Sequence, residues 1–216
     1  MISPQATSYC EQLRASQDGW QLCLSLFARD PKSSQEARLF SLQVVEEVLA
    51  SRFNELSQDQ IQQLRQTLLG FLQREYVVNA GASIDNEPIF LRNKLAHTVV
   101  LLFVRTYLKD WNAFFNEMLM LAAEASASSD GGNMLQPRIV DFLLRVWMNI
   151  DEECVSMLVP RSKGDLDHNT LVKDQMREGD VQLLAQHWLQ VLDSFHVREP
   201  QLAGMCLKVI GAYISE

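Results

Sequence analysis

Acidic and histidine side chains cluster at two places where metal or acid–base chemistry is conceivable. Asp165, Asp167 and His168 are close in sequence and are of types that bind metal ions, and 151–153 is a run of three carboxylates. No matching ligands occur at suitable spacing elsewhere, and carboxylates without a pocket do not indicate acid–base catalysis. We therefore interpret the first group as part of a solvated loop and the second as an exposed acidic edge.

Motifs of the common enzyme classes are absent from the sequence. It has no P-loop, no G-x-G-x-x-G, no H-E-x-x-H and no G-x-S-x-G. His97 and His187 fall in apolar segments, which favours helix packing. The cysteines lack metal-ligand or redox spacing, which predicts reduced, buried thiols: Cys10, Cys23, Cys154 and Cys206. We predict no catalytic residues, no metal and no cofactor, and hence no enzyme.

A third group has the side-chain types that bind phosphate oxygens. Thr170, Lys173 and Arg177 are spaced by three and four residues, which places them on one face of a helix predicted over 169–178. Asp174 and Glu178 neutralise the charge of that segment. Three interpretations stay open: contact with an RNA backbone, a solvated face whose charges pair with one another, or contact with a neighbouring repeat.

The polar triplet Arg92-Asn93-Lys94 interrupts a helix predicted over 87–108 that is otherwise apolar on almost every face. A helix of this kind is buried on more than one side. The triplet either bridges neighbouring helices through hydrogen bonds, or Lys94 and Arg105 face a concave surface and meet a partner.

Apolar residues recur at helical spacing along the whole chain, and no stretch alternates as a strand does. The sequence therefore predicts an all-α fold, an α-solenoid of HEAT-type antiparallel helix pairs. Ser57 and Gln60 form a capping-box pattern, and Ser16, Ser33 or Ser34, Asn86 and Asp110 are further predicted caps. The predicted helices cover 4–15, 17–29, 35–53, 58–77, 87–108, 110–125, 137–159, 169–178, 181–196 and 200 onward.

Apart from the short helix 169–178, the predicted helices make four pairs and the first helix of a fifth. We take 126–133, rich in Ser and Gly, as a loop between repeats and not as a domain boundary. The last helix has no partner, and arrays of this kind need capping repeats. We therefore expect residues 1–216 to be the amino-terminal region of a longer array.

Charge and hydropathy narrow the class of partner. The chain has 19 basic and 27 acidic residues, a net charge of −8. That balance argues against a generally basic nucleic-acid binder, so RNA contact requires a local cluster, and an acidic surface suits a basic protein. We see no signal peptide and no apolar run long enough to span a membrane.

Two segments carry a family resemblance. The first is similar to the amino-terminal segment of exportins, transport receptors of the importin-β family: Leu91–Ala96, Leu101–Phe103, Tyr107, Trp111 and Phe114-Phe115. The second resembles the tRNA-carrying exportins: Asn169–Asp174, Met176–Glu178 and Trp188. Similar residues elsewhere extend the resemblance to essentially the whole chain: Tyr9, Glu11–Leu13, Trp20, Phe40, Gln43-Val44, Glu46 and Lys208–Tyr213.

This resemblance implies an export receptor that binds tRNA together with the GTP-bound small GTPase Ran and shuttles between nucleus and cytoplasm. Nuclear pore proteins are further expected partners; membranes and DNA are not. In importin-β-type arrays the second helices line the inner surface, which places these residues near Ran: Asp18, Gln21, Gln60, Gln63, Asn112 and Glu117. Lys94 is a further Ran candidate, on the interpretation that it faces the concave surface. The tRNA candidates are Thr170, Lys173 and Arg177. The alternatives are an exportin for protein cargo and a helical scaffold without a transport role.

Overall fold

The computed structural model describes residues 4–128, 134–155 and 160–214, and within them it contains ten α-helices and no strand. The helices are α1 Pro4–Ala15, α2 Gly19–Ala28, α3 Gln35–Ser51, α4 Gln58–Leu72, α5 Ile89–Thr106, α6 Phe114–Ala127, α7 Pro137–Ile150, α8 Lys163–Gly179, α9 Val181–Phe195 and α10 Pro200–Ile214. The predicted all-α class is confirmed. Most of the predicted 126–133 loop and residues 156–159 lie outside the described residues.

The chain divides into two compact units, Met1–Phe71 and Leu72–Glu216. The first unit holds α1 to α4, and its core forms where α2 and α3 pack together. Phe27 and Phe71 meet with ring centroids 4.4 Å apart, and the buried Arg38 guanidinium lies 5.6 Å from the Phe27 ring centroid. A methyl group on Gly19 would lie 1.9 Å from the Leu13 carbonyl oxygen, so only glycine fits where α1 meets α2.

In the second unit α7 packs between α5 and α10, and it also contacts α6. In the predicted pairing α5, α7 and α10 are the first helices of successive pairs. First helices therefore lie side by side, as HEAT-type packing requires. Fully buried aromatic rings fill the space between α5, α6 and α7: Phe103, Tyr107, Trp111, Phe114, Phe115 and Trp147. Phe115 stacks on Trp147 with a centroid separation of 5.4 Å. Trp20, Trp111 and Phe115, three residues of the family resemblance, are buried in the core.

Two helices end in wider turns. The backbone over Gln73–Val78, after α4, and over Asp151–Val155, after α7, is π-helical. Side chains from other helices bind the carbonyl oxygens that these turns expose. Arg138 donates to the oxygens of Glu75 and Asn79, and Asn169 donates to the oxygen of Glu153 over 2.9 Å.

Several predicted boundaries were wrong for local reasons. Asp110 does not cap a helix, because 107–113 forms turns and α6 begins at Phe114. Asn86 lies in a short 3₁₀ turn, and Ser16 precedes the actual cap residue, Asp18. Helix α8 begins at Lys163, capped by Ser162, so Asp165, Asp167 and His168 are helical and not in a loop.

The prediction of buried thiols was wrong for one cysteine. Cys10 is only half-buried, whereas Cys23, Cys154 and Cys206 are buried free thiols.

Candidate partner-binding surfaces

Four of the Ran candidates were predicted on α2 and α4. The starts of these two helices meet at a small cleft in the first unit. Gln17, Arg52 and Gln60 are among the residues that line it. Asp18 and Gln63 are exposed, and Gln21 and Gln60 are half-buried. The structure therefore brings Gln60 close to the segment that carries Asp18 and Gln21, as the prediction requires.

Part of the Gln60 side chain already has a structural task. The Ser57 backbone N–H donates to Gln60 Oε1 over 2.9 Å, and the Gln60 N–H donates to Ser57 Oγ over 3.2 Å. The predicted capping box is confirmed, and it uses the carbonyl oxygen of the Gln60 amide. The amide NH₂ group of Gln60 makes no bond in this capping box and is left for a partner.

The other two second-helix candidates flank the start of α6 in the second unit. Asn112 is exposed and lies in the turn before the helix, not on it. Glu117 is half-buried, and its Oε2 accepts a hydrogen bond from Trp111 Nε1 over 2.9 Å. This bond satisfies the one polar atom of a buried indole. Glu117 therefore has a structural role, and Asn112 is the more accessible of the two.

The triplet on α5 bridges to α7. Arg92 is buried and donates to Asp141 Oδ2 over 2.6 Å, and the Asn93 side-chain oxygen accepts from Arg145. Arg145 also binds both Asp141 oxygens, over 2.9 and 2.7 Å. The first interpretation of the triplet is therefore confirmed for Arg92 and Asn93. Lys94 is half-buried on the same helix, and its contact with Ran stays a prediction.

Two guanidinium groups thus share one buried carboxylate. Removal of one member of such a network leaves the others charged and desolvated, so the network joins α5 to α7. It forms part of the wall of a cavity of about 620 Å³ that Ile89 and Met205 also line.

The three phosphate-type candidates all lie on α8, as predicted. Thr170 and Arg177 are exposed, and Lys173 is half-buried. Thr170 Oγ1 donates to the Leu166 carbonyl oxygen over 2.9 Å, and Arg177 forms an exposed ion pair of 3.5 Å with Asp174. Local pairing therefore competes with any phosphate for these side chains.

The titratable groups singled out from the sequence serve packing. The His97 ring lies 3.3 Å from Glu153 Oε1, and this hydrogen bond is the main reason that the pKa of Glu153 is lowered. The prediction that Glu153 is part of an exposed acidic edge was therefore wrong, because its side chain is half-buried and hydrogen-bonded to His97.

The described residues contain no group of three or more metal-ligand side chains that could hold an ion. In the same part of the chain no helix is long and apolar enough for a membrane span.

Comparison with protein families decides which kind of array this is. The family model described as Exportin 1-like protein matches residues 88–216. The chain belongs to the exportin 1-like protein family. The importin-beta N-terminal domain model matches residues 6–74 of this exportin. HEAT-type helical solenoids are the fold of both families, which agrees with the predicted fold class.

Individual relatives cover almost all of the chain. Exportin-T of Homo sapiens is 35% identical over 98% of it, and Exportin-T of Mus musculus is 36% identical over 98%. Exportin-T of Yarrowia lipolytica is 33% identical over 99%. The chain spans about a fifth of the length of these relatives, which is 20% for the human and mouse proteins.

Sequence reasoning missed the partners of two polar groups in this exportin. Arg138 is buried and pairs with Glu75 over 3.1 Å, and the Tyr107 hydroxyl donates to Asp180 at the start of α9. Burial raises the pKa of Asp180, and the bond from Tyr107 offsets part of that rise. The charged residues inside the apolar helix α7 were the sequence signal that could have revealed the pair of Arg138 and Glu75. No sequence signal pointed to the bond between Tyr107 and Asp180.

Proposed function

We propose that residues 1–216 are the amino-terminal region of a longer nuclear export receptor for tRNA. The receptor binds tRNA cooperatively with the GTP-bound small GTPase Ran, passes the nuclear pore through contacts with pore proteins, and releases its cargo in the cytoplasm after Ran hydrolyses GTP. The observation that carries this proposal is a sequence identity of 35% to Exportin-T of Homo sapiens over 98% of the chain. Members of the exportin family are transport receptors and not enzymes.

Coupled binding requires no chemistry on this chain. If Ran and tRNA both favour the same curvature of a helical array, each raises the affinity for the other by the same factor. The packing of first helices around α7 is suited to this role, because packed helices connected by buried polar networks shift together.

Asp18, Gln21, Gln63 and Asn112 are the strongest Ran candidates, because the described contacts leave their side chains available at or near the starts of second helices. Gln60 and Glu117 are weaker candidates, since each already holds a local hydrogen bond. Lys94 belongs to a first helix and is the least expected of the set.

The tRNA contact on α8 depends on Lys173 and Arg177. Proteins bind an RNA helix through its phosphates and 2′-hydroxyls, so a short run of cations on one helix face is suitable chemistry. The ion pair with Asp174 weakens this interpretation without removing it, because an exposed pair contributes little and a phosphate can displace the carboxylate.

The decisive experiment compares cargoes on the complete receptor that contains this chain. Immobilised receptor is mixed with total tRNA or with a nuclear protein extract, each with GTP-loaded or GDP-loaded Ran. We expect tRNA to be retained only with GTP-loaded Ran. Retention of specific proteins instead of tRNA would identify a protein exportin, and no response to Ran would favour a scaffold.

A matched pair of variants tests the Ran surface. Asp18→Arg with Gln63→Arg changes the predicted face, whereas Glu47→Arg changes an exposed residue of the first helix α3. We expect weaker binding of GTP-loaded Ran for the double variant alone. Equal binding by wild type and both variants would show that the starts of α2 and α4 do not contact Ran.

A further inference from the structure

One tripeptide pattern recurs three times in the first unit. Ser16-Gln17-Asp18, Ser34-Gln35-Glu36 and Ser57-Gln58-Asp59 each join Ser and Gln to an acidic residue. The full sequence contains no other Ser-Gln dipeptide and no Thr-Gln dipeptide. All three copies therefore fall within residues 1–71, the bounds of the first unit.

Each of the three serines is exposed; Ser34 and Ser57 lie at the start of a helix, and Ser16 lies in the short turn between α1 and α2. Ser16 donates to the Leu13 carbonyl oxygen over 3.2 Å just before α2. Ser34 caps α3 by accepting from the Ala37 N–H over 3.3 Å, and Ser57 caps α4. The hydroxyl groups are therefore held near the surface.

At Ser34 and Ser57 helix capping explains the serine and the acidic residue of this pattern but not the glutamine, and Ser16 is not a cap residue. A capping serine and a carboxylate in the first turn both stabilise a helix start. Two other capping serines of the chain, Ser83 and Ser162, are followed by Ile and Lys. The exposed side chains of the three glutamines make no hydrogen bond within the described part of the chain: Gln17, Gln35 and Gln58.

We propose that the first unit is the substrate of a glutamine-directed serine/threonine kinase, with Ser16, Ser34 and Ser57 as acceptors. Kinases of this class require glutamine directly after the target residue. The serine Oγ attacks the γ-phosphorus of ATP, the bond to the ADP oxygen breaks, and the hydroxyl proton passes to the catalytic base of the kinase. The products are a phosphoserine and ADP. The modification goes beyond the proposed export function and does not depend on it.

The positions suit both access and accommodation of the phosphoryl group. Ser34 follows an irregular segment over 29–33, and Ser57 follows a 3₁₀ turn at Phe53–Glu55, so opening the first helical turn presents an extended peptide to the kinase. A phosphoryl group adds a charge of about −1.5 to −2 and is favourable at a helix start, which is where Ser34 and Ser57 lie. Ser16 is exposed in the turn between α1 and α2. The folded unit can therefore carry the modification.

Two of the three acceptors adjoin the cleft between α2 and α4. Gln17, next to Ser16, lines it together with Leu56, next to Ser57, and with Arg52. Residues 1–71 contain six basic and eight acidic residues, so added phosphates would dominate the charge of this surface. If the proposed function holds, phosphorylation places negative charge among the predicted Ran contacts and alters Ran binding.

The test treats the folded chain with ATP and a purified glutamine-directed kinase, and locates phosphate by intact mass and peptide mapping. We expect label on Ser16, Ser34 and Ser57, and none on the capping serines Ser83 and Ser162. A variant with Gln17→Ala, Gln35→Ala and Gln58→Ala keeps every acceptor and should lose the label. Three single variants, each expected to lose one site, guard against misfolding of the triple variant.

Absence of label from the three serines, label only after denaturation, or undiminished label in the glutamine variants would overturn the proposal. The assay contains neither Ran nor tRNA. Its failure therefore leaves the export function untouched, and failure of the export function leaves this result unaffected.

Discussion

Two polar triplets of the second unit have similar residue types but differ in spacing and in what they bind: 92–94 are consecutive, and Thr170, Lys173 and Arg177 are three and four residues apart. On α5, Arg92 and Asn93 bind α7, and the Arg92 side chain is 8% exposed. On α8, the Arg177 side chain is 60% exposed and pairs with Asp174 of its own helix. Polar and charged residues of a helix thus bind a neighbouring helix in one case and face solvent in the other.

The position of each helix in the unit explains the difference. Helix α5 packs along α7, so its polar residues must find partners there or lose their hydration without compensation. Helix α8 contacts α9 and the turn after α7 and keeps one side in water, where charged groups need no protein partner. Burial of the helix, and not the type of its side chains, therefore decides which triplet is available to bind another molecule.

The largest expected effect comes from the shared carboxylate between α5 and α7. Asp141→Ala leaves the buried guanidinium of Arg92 with only the exposed Asp85 carboxylate, 4.0 Å away, so we expect a loss of about 3–5 kcal/mol in the free energy of unfolding. Urea denaturation of the variant and of wild type measures this loss.

The matched control is Asp174→Ala, which removes the carboxylate of the exposed pair on α8 and should cost less than about 0.5 kcal/mol. Replacement of Arg92 by Met, Asp141 by Leu and Arg145 by Met together should recover most of the lost stability. Similar losses for Asp141→Ala and Asp174→Ala would show that the two triplets do not differ in burial.

A buried polar group without a partner is a third case beside these two. His187 on α9 is buried, its Nε2 has no hydrogen-bond partner in the described part of the chain, and burial lowers its pKa to about 4. The unfolded chain, in which the histidine pKa is near 6.5, takes up the proton first as the pH falls. The contribution of His187 to the free energy of unfolding is therefore fully present above about pH 6.5. It falls as the pH approaches 4, by about 3 kcal/mol in total.

Comparison of wild type with His187→Leu isolates this contribution from the carboxylates that titrate in the same range. The variant should lose less stability than wild type between pH 7 and pH 4.5. Parallel stability curves for the two proteins would show that His187 is hydrated or bonded in solution.

Local features of the fold were predictable because local residues determine them. The capping box of Ser57 and Gln60 was predicted correctly, since both partners lie within four residues. Asp110 was predicted wrongly as a cap, because the buried Trp111 and its bond to Glu117 extend the turn before α6. The capping residue alone could not reveal that contact with a residue six positions further along the chain.

Pairings between distant residues could not be predicted from one sequence. Arg92 and Asp141 are 49 residues apart, and Tyr107 and Asp180 are 73 apart. The polar residues of α7 stand out in an apolar helix, yet helical spacing gives only their common face and not the helix opposite. The same limit applies to the Ran candidates, whose positions came from helix order.

The smallest effect on folding and the most specific effect on binding are expected from α8. Lys173→Glu with Arg177→Glu changes half-buried and exposed residues, so the melting temperature should stay close to that of wild type. In the complete receptor with GTP-loaded Ran, tRNA affinity should fall, and the slope of log affinity against log salt should decrease by about one for each phosphate that the variant no longer binds. Asp174→Lys is the matched opposite, because it removes the competing carboxylate and adds a cation, and should strengthen binding. If all three proteins share one salt slope, α8 does not touch RNA, and its charges serve only one another.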